Sequence, residues 1–312
     1  MDDERIVPPE TPQLPSQNLS FVQRSNISPI AFALLCLFAI FVLYQGVGGM
    51  LTFFFVGAKV TAENVMGQRA FTMIGEALFL LIPTLLFARL LDRKFSAVVP
   101  WRMPKVGETV FAALGLLFLQ EVFQIYLFFQ DQIPLPESLR KVVDPLKETI
   151  DEMFRTLVSS QTVPELLFVI LVVAVTPAVI EELLFRGLIQ SSFERAVKPI
   201  WAAIITGIIF GAFHLNPFAI VPLIMLGCYF GVLRMRSKSI VITMTVHFLN
   251  NVTAVVVAYF AMDDKMIIGA TKGPDVNTPA ILVQLFLFVM LFALSFSSYW
   301  RVTSDLRSKK EE

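Results

Sequence analysis

Long stretches of this chain are apolar, with short polar segments between them. A helix needs roughly 20 mostly apolar residues to cross a bilayer. Eight stretches fit that pattern: Ile30 to Phe55, Ala70 to Leu91, Val110 to Phe129, Pro164 to beyond Arg186, Ile200 to His214, Phe218 to Leu233, Ile240 to Phe260 and Pro279 to Trp300. The fifth and sixth are short. The pattern predicts an all-α fold, a polytopic membrane helix bundle of about eight transmembrane helices. Between the third and fourth stretches, Leu139, Val142, Val143, Leu146, Ile150, Met153, Phe154 and Leu157 recur at three- and four-residue steps. That spacing predicts an amphipathic helix at the membrane surface, with substrate gating as the alternative role. The chain divides into a disordered tail over 1–28, a transmembrane helical domain over 29–300 and a charged tail over 301–312.

Composition agrees with the pattern. Hydrophobic residues make up 56% of the 312 residues and charged residues only 16%. Soluble domains carry about 25% charged residues, so this chain lacks the charge for a polar shell. Lys+Arg and Asp+Glu are both 25, which leaves no basic footprint for nucleic acid. Cys36 and Cys228 both lie in apolar runs, and no CxxC or Cys/His zinc cluster exists. The first residues, Asp2, Asp3 and Glu4, lead into a proline-rich polar stretch without a signal-peptide core.

Cations are spread unevenly. With the N-terminus inside, 13 Lys and Arg fall in the even-numbered loops and C-terminal tail, and 8 in the odd-numbered loops, Arg69 among them. The positive-inside rule then places both termini in the cytoplasm. Asp263 and Asp264, in the last outer loop, read as solvated charge.

Ionisable residues at membrane depth are costly and mark sites or partners. Both histidines of the chain, His214 and His247, sit in such segments, as do Glu181, Glu182 and Arg186. Glu182 and Arg186 are four apart on one helical face and can pair. Glu181 is turned by about 100° from that face. It is free for acid–base chemistry, which an apolar setting favours near neutral pH. His247 and Asn251 are also four apart, so an imidazole and an amide can donate to a developing oxyanion. If the chain reverses near Pro199, Glu181 lies about 27 Å and His214 about 22 Å up their helices. Asn251 lies about 20 Å beyond Lys238 by the same rise. Three helices can thus bring Glu181, His214, His247 and Asn251 to one level. Pro177, four before Glu181, removes a backbone donor and kinks the helix there. Gly207 with Gly211, and Gly227 with Gly231, permit close helix approach, which ordinary packing also explains. Glu76 and Glu121 sit in the second and third stretches; Glu121, with Gln120 and Gln124, reads as an inter-helix hydrogen-bonding group, with cavity lining or substrate binding as the alternative. Asn250 reads as a packing or local hydrogen-bonding residue.

Glu181-Glu182-x-x-x-Arg186, Phe210-x-x-x-His214 and His247-x-x-x-Asn251, in that order, resemble the three motifs of the CAAX prenyl protease and bacteriocin-processing (Abi) family of intramembrane proteases. The motif-bearing core covers 164–257. The resemblance implies an endopeptidase, similar to the type II CAAX enzymes, in which Glu181 and His214 activate water. It implies that His247 and Asn251 stabilise the oxyanion. Glu182 and Arg186 then have structural roles, and Phe210 shapes the pocket wall. It implies no cofactor; a zinc held by Glu181, His214 and His247 is the alternative. The expected partners are the bilayer and a peptide or protein substrate, prenylated or not. The expected location is a bacterial cell membrane, or the endoplasmic reticulum in a eukaryote. Two other readings stand beside it. One is a non-catalytic protein that binds or shields a partner, as in bacteriocin immunity. The other is a transporter using Glu76 and Glu121.

Overall fold

The computed structural model describes residues 19–260 and 278–304. Among these residues every regular element is helical and no strand occurs. The main helices are α1 (Pro29–Phe55), α2 (Val65–Leu91), α3 (Val106–Asp131), α4 (Glu137–Val158), α5 (Val163–Glu194), α6 (Pro199–Phe213), α7 (Ile220–Ser237), α8 (Ile240–Tyr259) and α9 (Thr278–Val302). Seven of them, all but α4 and α6, are long and apolar enough to cross a membrane. Many of their large apolar side chains, such as Phe38, Phe54, Leu86 and Phe286, point outward, as lipid-facing positions require. The chain is a multi-pass membrane protein.

The sequence predicted about eight spans with the fifth one short, and α6 is that short helix. It has 15 residues, or about 22 Å of helix, against about 30 Å of hydrocarbon. It starts with Pro199 at its first turn and stops at Phe213. Leu215 then takes a positive φ of 52°. The Asn216 side chain accepts from the backbone N–H groups of Phe218 and Ala219. Irregular backbone survives at membrane depth only when its polar groups are satisfied in this way. The break leaves His214 at the end of α6, inside the bundle.

Helix α6 is held tightly to α7 by the four glycines. A Cβ at Gly227 would lie 2.7 Å from the Gly207 carbonyl oxygen, and one at Gly231 would lie 2.9 Å from that of Ala203. Those contacts are backbone to backbone, so no larger residue fits without separating the helices. The space is used from the α5 side as well. Arg186 donates to the Gly227 carbonyl and Gln190 to the Gly231 carbonyl, both at 3.0 Å.

Helix α4 is the expected amphipathic helix, with Leu139, Val142, Leu146, Met153 and Phe154 exposed. Arg69 ties down its C-terminal end. It donates to the carbonyls of Thr156, Leu157 and Ser159 and pairs with Glu165 at 2.7 Å. The sequence pattern put Arg69 in a loop, but α2 starts at Val65 and buries it. A guanidinium that satisfies the last carbonyls of another helix can be buried where a loop cation would not be.

Part of the expected tail, from residue 19 on, is described and carries helical structure. Ser20 forms a capping box with Gln23 on the short helix Phe21–Arg24, and Val22 is buried. Satisfied caps and one core contact suffice to order this turn. The rest of the expected N-terminal tail, and Asp263 and Asp264, lie outside the described residues.

Candidate active site

Helix α5 carries the acidic pair. Its backbone widens into π-helical turns over Ile170–Val175 and Leu183–Ile189, on either side of Glu181 and Glu182. Such turns recur at functional sites because they redirect side chains within a helix. Pro177 follows the first of them and has no N–H to offer the Val173 carbonyl four residues back.

Glu182 is fully buried, and so is Arg186. Arg186 Nη1 donates to Glu182 Oε1 at 2.9 Å, as the i,i+4 spacing predicts. The guanidinium carbon sits 4.6 Å from the Phe210 ring centroid and 5.2 Å from that of Phe230. A buried charge is tolerable when a counter-charge and hydrogen bonds surround it, and aromatic faces add to that. The same Glu182 oxygen lies 2.9 Å from His247 Nδ1. Spacing alone does not give this link, because Glu182 and His247 are on different helices. Their contact orients the imidazole and leaves Nε2 as its remaining polar atom.

Glu181 points elsewhere, as its rotation about the helix requires. Its Oε2 lies 3.8 Å from His214 Nε2. His214 Nδ1 is 2.7 Å from the Phe210 carbonyl. A carbonyl oxygen only accepts, so Nδ1 carries the hydrogen and Nε2 faces Glu181. The side chains of Glu181 and His214 are 17% and 28% exposed, whereas those of Glu182 and His247 are 0% and 4% exposed. The first pair is therefore the more exposed one, although Glu181 Oε2 itself is buried and has no hydrogen-bond partner. The Phe210 ring stands between the two histidines, with centroids 4.6 Å from His214 and 6.0 Å from His247.

Asn251, one turn along α8 from His247, donates from Nδ2 to the Val173 carbonyl at 2.9 Å. It thus sits against α5, one helical turn before Pro177. Its Oδ1 accepts from Asn250, and Asn250 accepts in turn from Gln120 of α3. Gln120 and Asn250 thus join the site's surroundings through a contact between α3 and α8. A sequence shows only that both are polar at membrane depth.

Glu76 is a second carboxylate beside Glu181. It is buried at the start of a π-helical turn in α2, with Oε2 lacking a hydrogen-bond partner. It lies within electrostatic reach of Glu181, and Tyr44 of α1 is within reach of both. The Tyr44 ring stacks on Phe213, next to His214. The sequence shows Glu76 only as a carboxylate within the second span; the fold brings it within electrostatic reach of Glu181.

Among the described residues, no three His, Cys, Asp or Glu side chains come together as a metal-ligand set. Glu181, His214 and His247 therefore do not form one. The His247 ring is turned to Glu182, whereas Glu181 lies against His214. A cavity of about 1310 Å³ lies between the end of α3 and α4, lined by Gln124, Asp131, Arg140, Lys147 and Phe218 among others. None of Glu181, His214, His247 or Asn251 lines it.

A family model described as Type II CAAX prenyl endopeptidase Rce1-like matches residues 163–253. The matched segment runs from the start of α5 into α8 and contains all three motifs. It leaves out α1 to α3, and with them Tyr44, Glu76 and Gln120. No curated protein and no solved structure matches the chain.

Proposed function

We propose that this protein is an intramembrane endopeptidase that hydrolyses a peptide bond with water activated by Glu181 and His214. The observation that carries the reading is the 3.8 Å approach of Glu181 Oε2 to His214 Nε2, with His214 Nδ1 already committed to a carbonyl. The pair is too far apart for a direct hydrogen bond. Both facing atoms are acceptors when the ring is neutral. A water held there donates one hydrogen to each, and its oxygen lone pairs are left for a substrate carbonyl. Proton transfer to Glu181 or His214 as the C–O bond forms is general-base catalysis, and return of that proton to the leaving amine completes hydrolysis.

Oxyanion stabilisation falls to His247 and Asn251 in this reading. His247 Nε2 donates only when the ring is protonated, since Nδ1–H faces Glu182. Arg186, Glu182 and a protonated His247 together carry a net charge of about +1, which a developing oxyanion neutralises. Asn251 has a second N–H beyond the one given to Val173. Glu182 and Arg186 act through His247 and through the packing of α5, and Phe210 acts as a wall and spacer. The zinc alternative is not adopted, because its three residues do not gather.

The family match favours a CAAX-type substrate, a peptide chain end reached from the cytoplasm, with or without a prenyl group. The test uses the full-length protein in detergent micelles and an internally quenched peptide ending in farnesyl-Cys-aliphatic-aliphatic-X, beside its unprenylated twin. Cleavage by the wild type is expected to fall by about 10²–10⁴-fold in Glu181→Ala and in His214→Ala. A chelator is expected to leave the rate unchanged. Equal rates for wild type and Glu181→Ala would sink the proposal. Comparison of cleavage products in cells carrying wild type or Glu181→Ala then identifies the natural substrate.

A further inference from the structure

We propose that Gln120, Asn250 and Pro177 are positioning residues that set the direction of the Asn251 amide. The inference rests on the proteolytic reading above. Three side-chain amides form a line across three helices. Gln120 Nε2 donates to Asn250 Oδ1, Asn250 Nδ2 to Asn251 Oδ1, and Asn251 Nδ2 to the Val173 carbonyl.

Each amide has one acceptor end and one donor end, and either could point either way in isolation. The last partner removes that freedom. A backbone carbonyl only accepts, so Asn251 must turn its NH₂ to Val173. Its oxygen then faces Asn250, which must present NH₂ there and its oxygen to Gln120. One acceptor thus orders the whole line.

That acceptor is available because of the sequence. Val173 lies in the π-helical turn Ile170–Val175, where the backbone ladder leaves its i,i+4 register, and Pro177 just beyond it supplies no N–H to this stretch of carbonyls. The missing donor on α5 is replaced by a side chain from α8. Asn251 keeps its second N–H, which is the one the oxyanion needs. With the line intact, that N–H is held in one orientation before substrate arrives, and preorganised donors of this kind carry much of the stabilisation in such sites. Gln120 lies outside the segment the family model matches, so this support for Asn251 comes from the other part of the bundle.

The experiment uses the full-length protein in micelles and the farnesylated quenched peptide. Gln120→Met keeps volume but cannot donate. Pro177→Ala restores an N–H beside the π-helical turn that carries the Val173 carbonyl, where it can compete with Asn251 for the carbonyls of that turn. Each is expected to lower kcat about tenfold, a part of the 10²–10³-fold attached to a whole oxyanion donor, with KM within about twofold. Pro177→Ala is also expected to keep or raise the unfolding temperature, since alanine suits a helix interior better than proline. In an Asn251→Ala background neither change should lower kcat further, because both act through Asn251.

Wild-type kcat in Gln120→Met, with Glu181→Ala inactive, would overturn the positioning role. So would an undiminished loss in the Asn251→Ala background. Full activity of Glu181→Ala would instead overturn the proteolytic reading. A substrate-free arm then decides the line itself. Gln120→Met and Asn250→Leu should lower the unfolding temperature less together than the sum of their separate effects; strict additivity overturns the line.

Discussion

Glu181 and Glu182 are neighbours in sequence and do different work. The helical turn of about 100° between them sends one to a partly exposed histidine and the other to a buried ion pair. Glu182 holds both Arg186 and His247 through one oxygen, at 2.9 Å each. Removing it leaves a guanidinium buried among Phe185, Phe210 and Phe230 with no carboxylate beside it at Glu182. Glu182→Ala should therefore destabilise the protein by about 3–5 kcal/mol, the range for breaking a buried pair on one side. Unfolding in a detergent titration measures this. Glu181→Ala should change stability less, because its histidine partner is partly exposed and Arg186, which feels Glu181 only at a distance, keeps its hydrogen-bonded partner Glu182. A similar loss in both variants would argue against this division of roles.

At the scale of helices, the site depends on how closely α6 and α7 approach. Gly207 and Gly227 touch through backbone atoms, and the same face of α7 offers its Gly227 carbonyl to Arg186. Gly227→Leu must push α7 away from α6, which costs about 1–3 kcal/mol by overpacking. It should also reduce peptidase activity, because the Arg186 bond and the Phe210 wall move together. Thermal unfolding and the peptide assay on the same preparation check both effects. The glycine spacing was readable as a close-packing signal, and the structure supplies its partners. The length of α6 was only partly readable. Its apolar run ends near His214 in the sequence, but that the helix stops inside the bundle depends on Leu215 and Asn216 satisfying the turn.

At the scale of the molecule, two halves of the bundle meet at Glu181. The segment from α5 to α8 brings the three motifs. From outside the family match, helices α1 and α2 bring Tyr44 and Glu76 within electrostatic reach of Glu181, and α3 brings Gln120 to Asn250. The cation distribution argues that both chain ends lie in the cytoplasm, which needs an even number of crossings. With seven long spans among the described residues, that orientation predicts that the short α6 completes an eighth crossing together with the loop after it. Reporter fusions at the two ends should both register the cytoplasmic side. Opposite sides would mean that α6 re-enters without crossing.

Composition and spacing alone determined the membrane class, the helical repeat and the intrahelical pair Glu182–Arg186, because those follow from periodicity and from the cost of charge in lipid. They also singled out the two histidines, the scarcest polar residues at depth. Only the tertiary structure decided which residues meet across helices: Glu182 with His247, Glu181 with His214 and Glu76, and Gln120 with Asn250. Helix periodicity fixes which residues share a face. It carries no information on which face of another helix arrives there, and that is set by packing over the whole bundle. Pro177 shows the limit most clearly. Its missing N–H was legible in the sequence, but the side chain that fills the gap comes from 74 residues away, at Asn251.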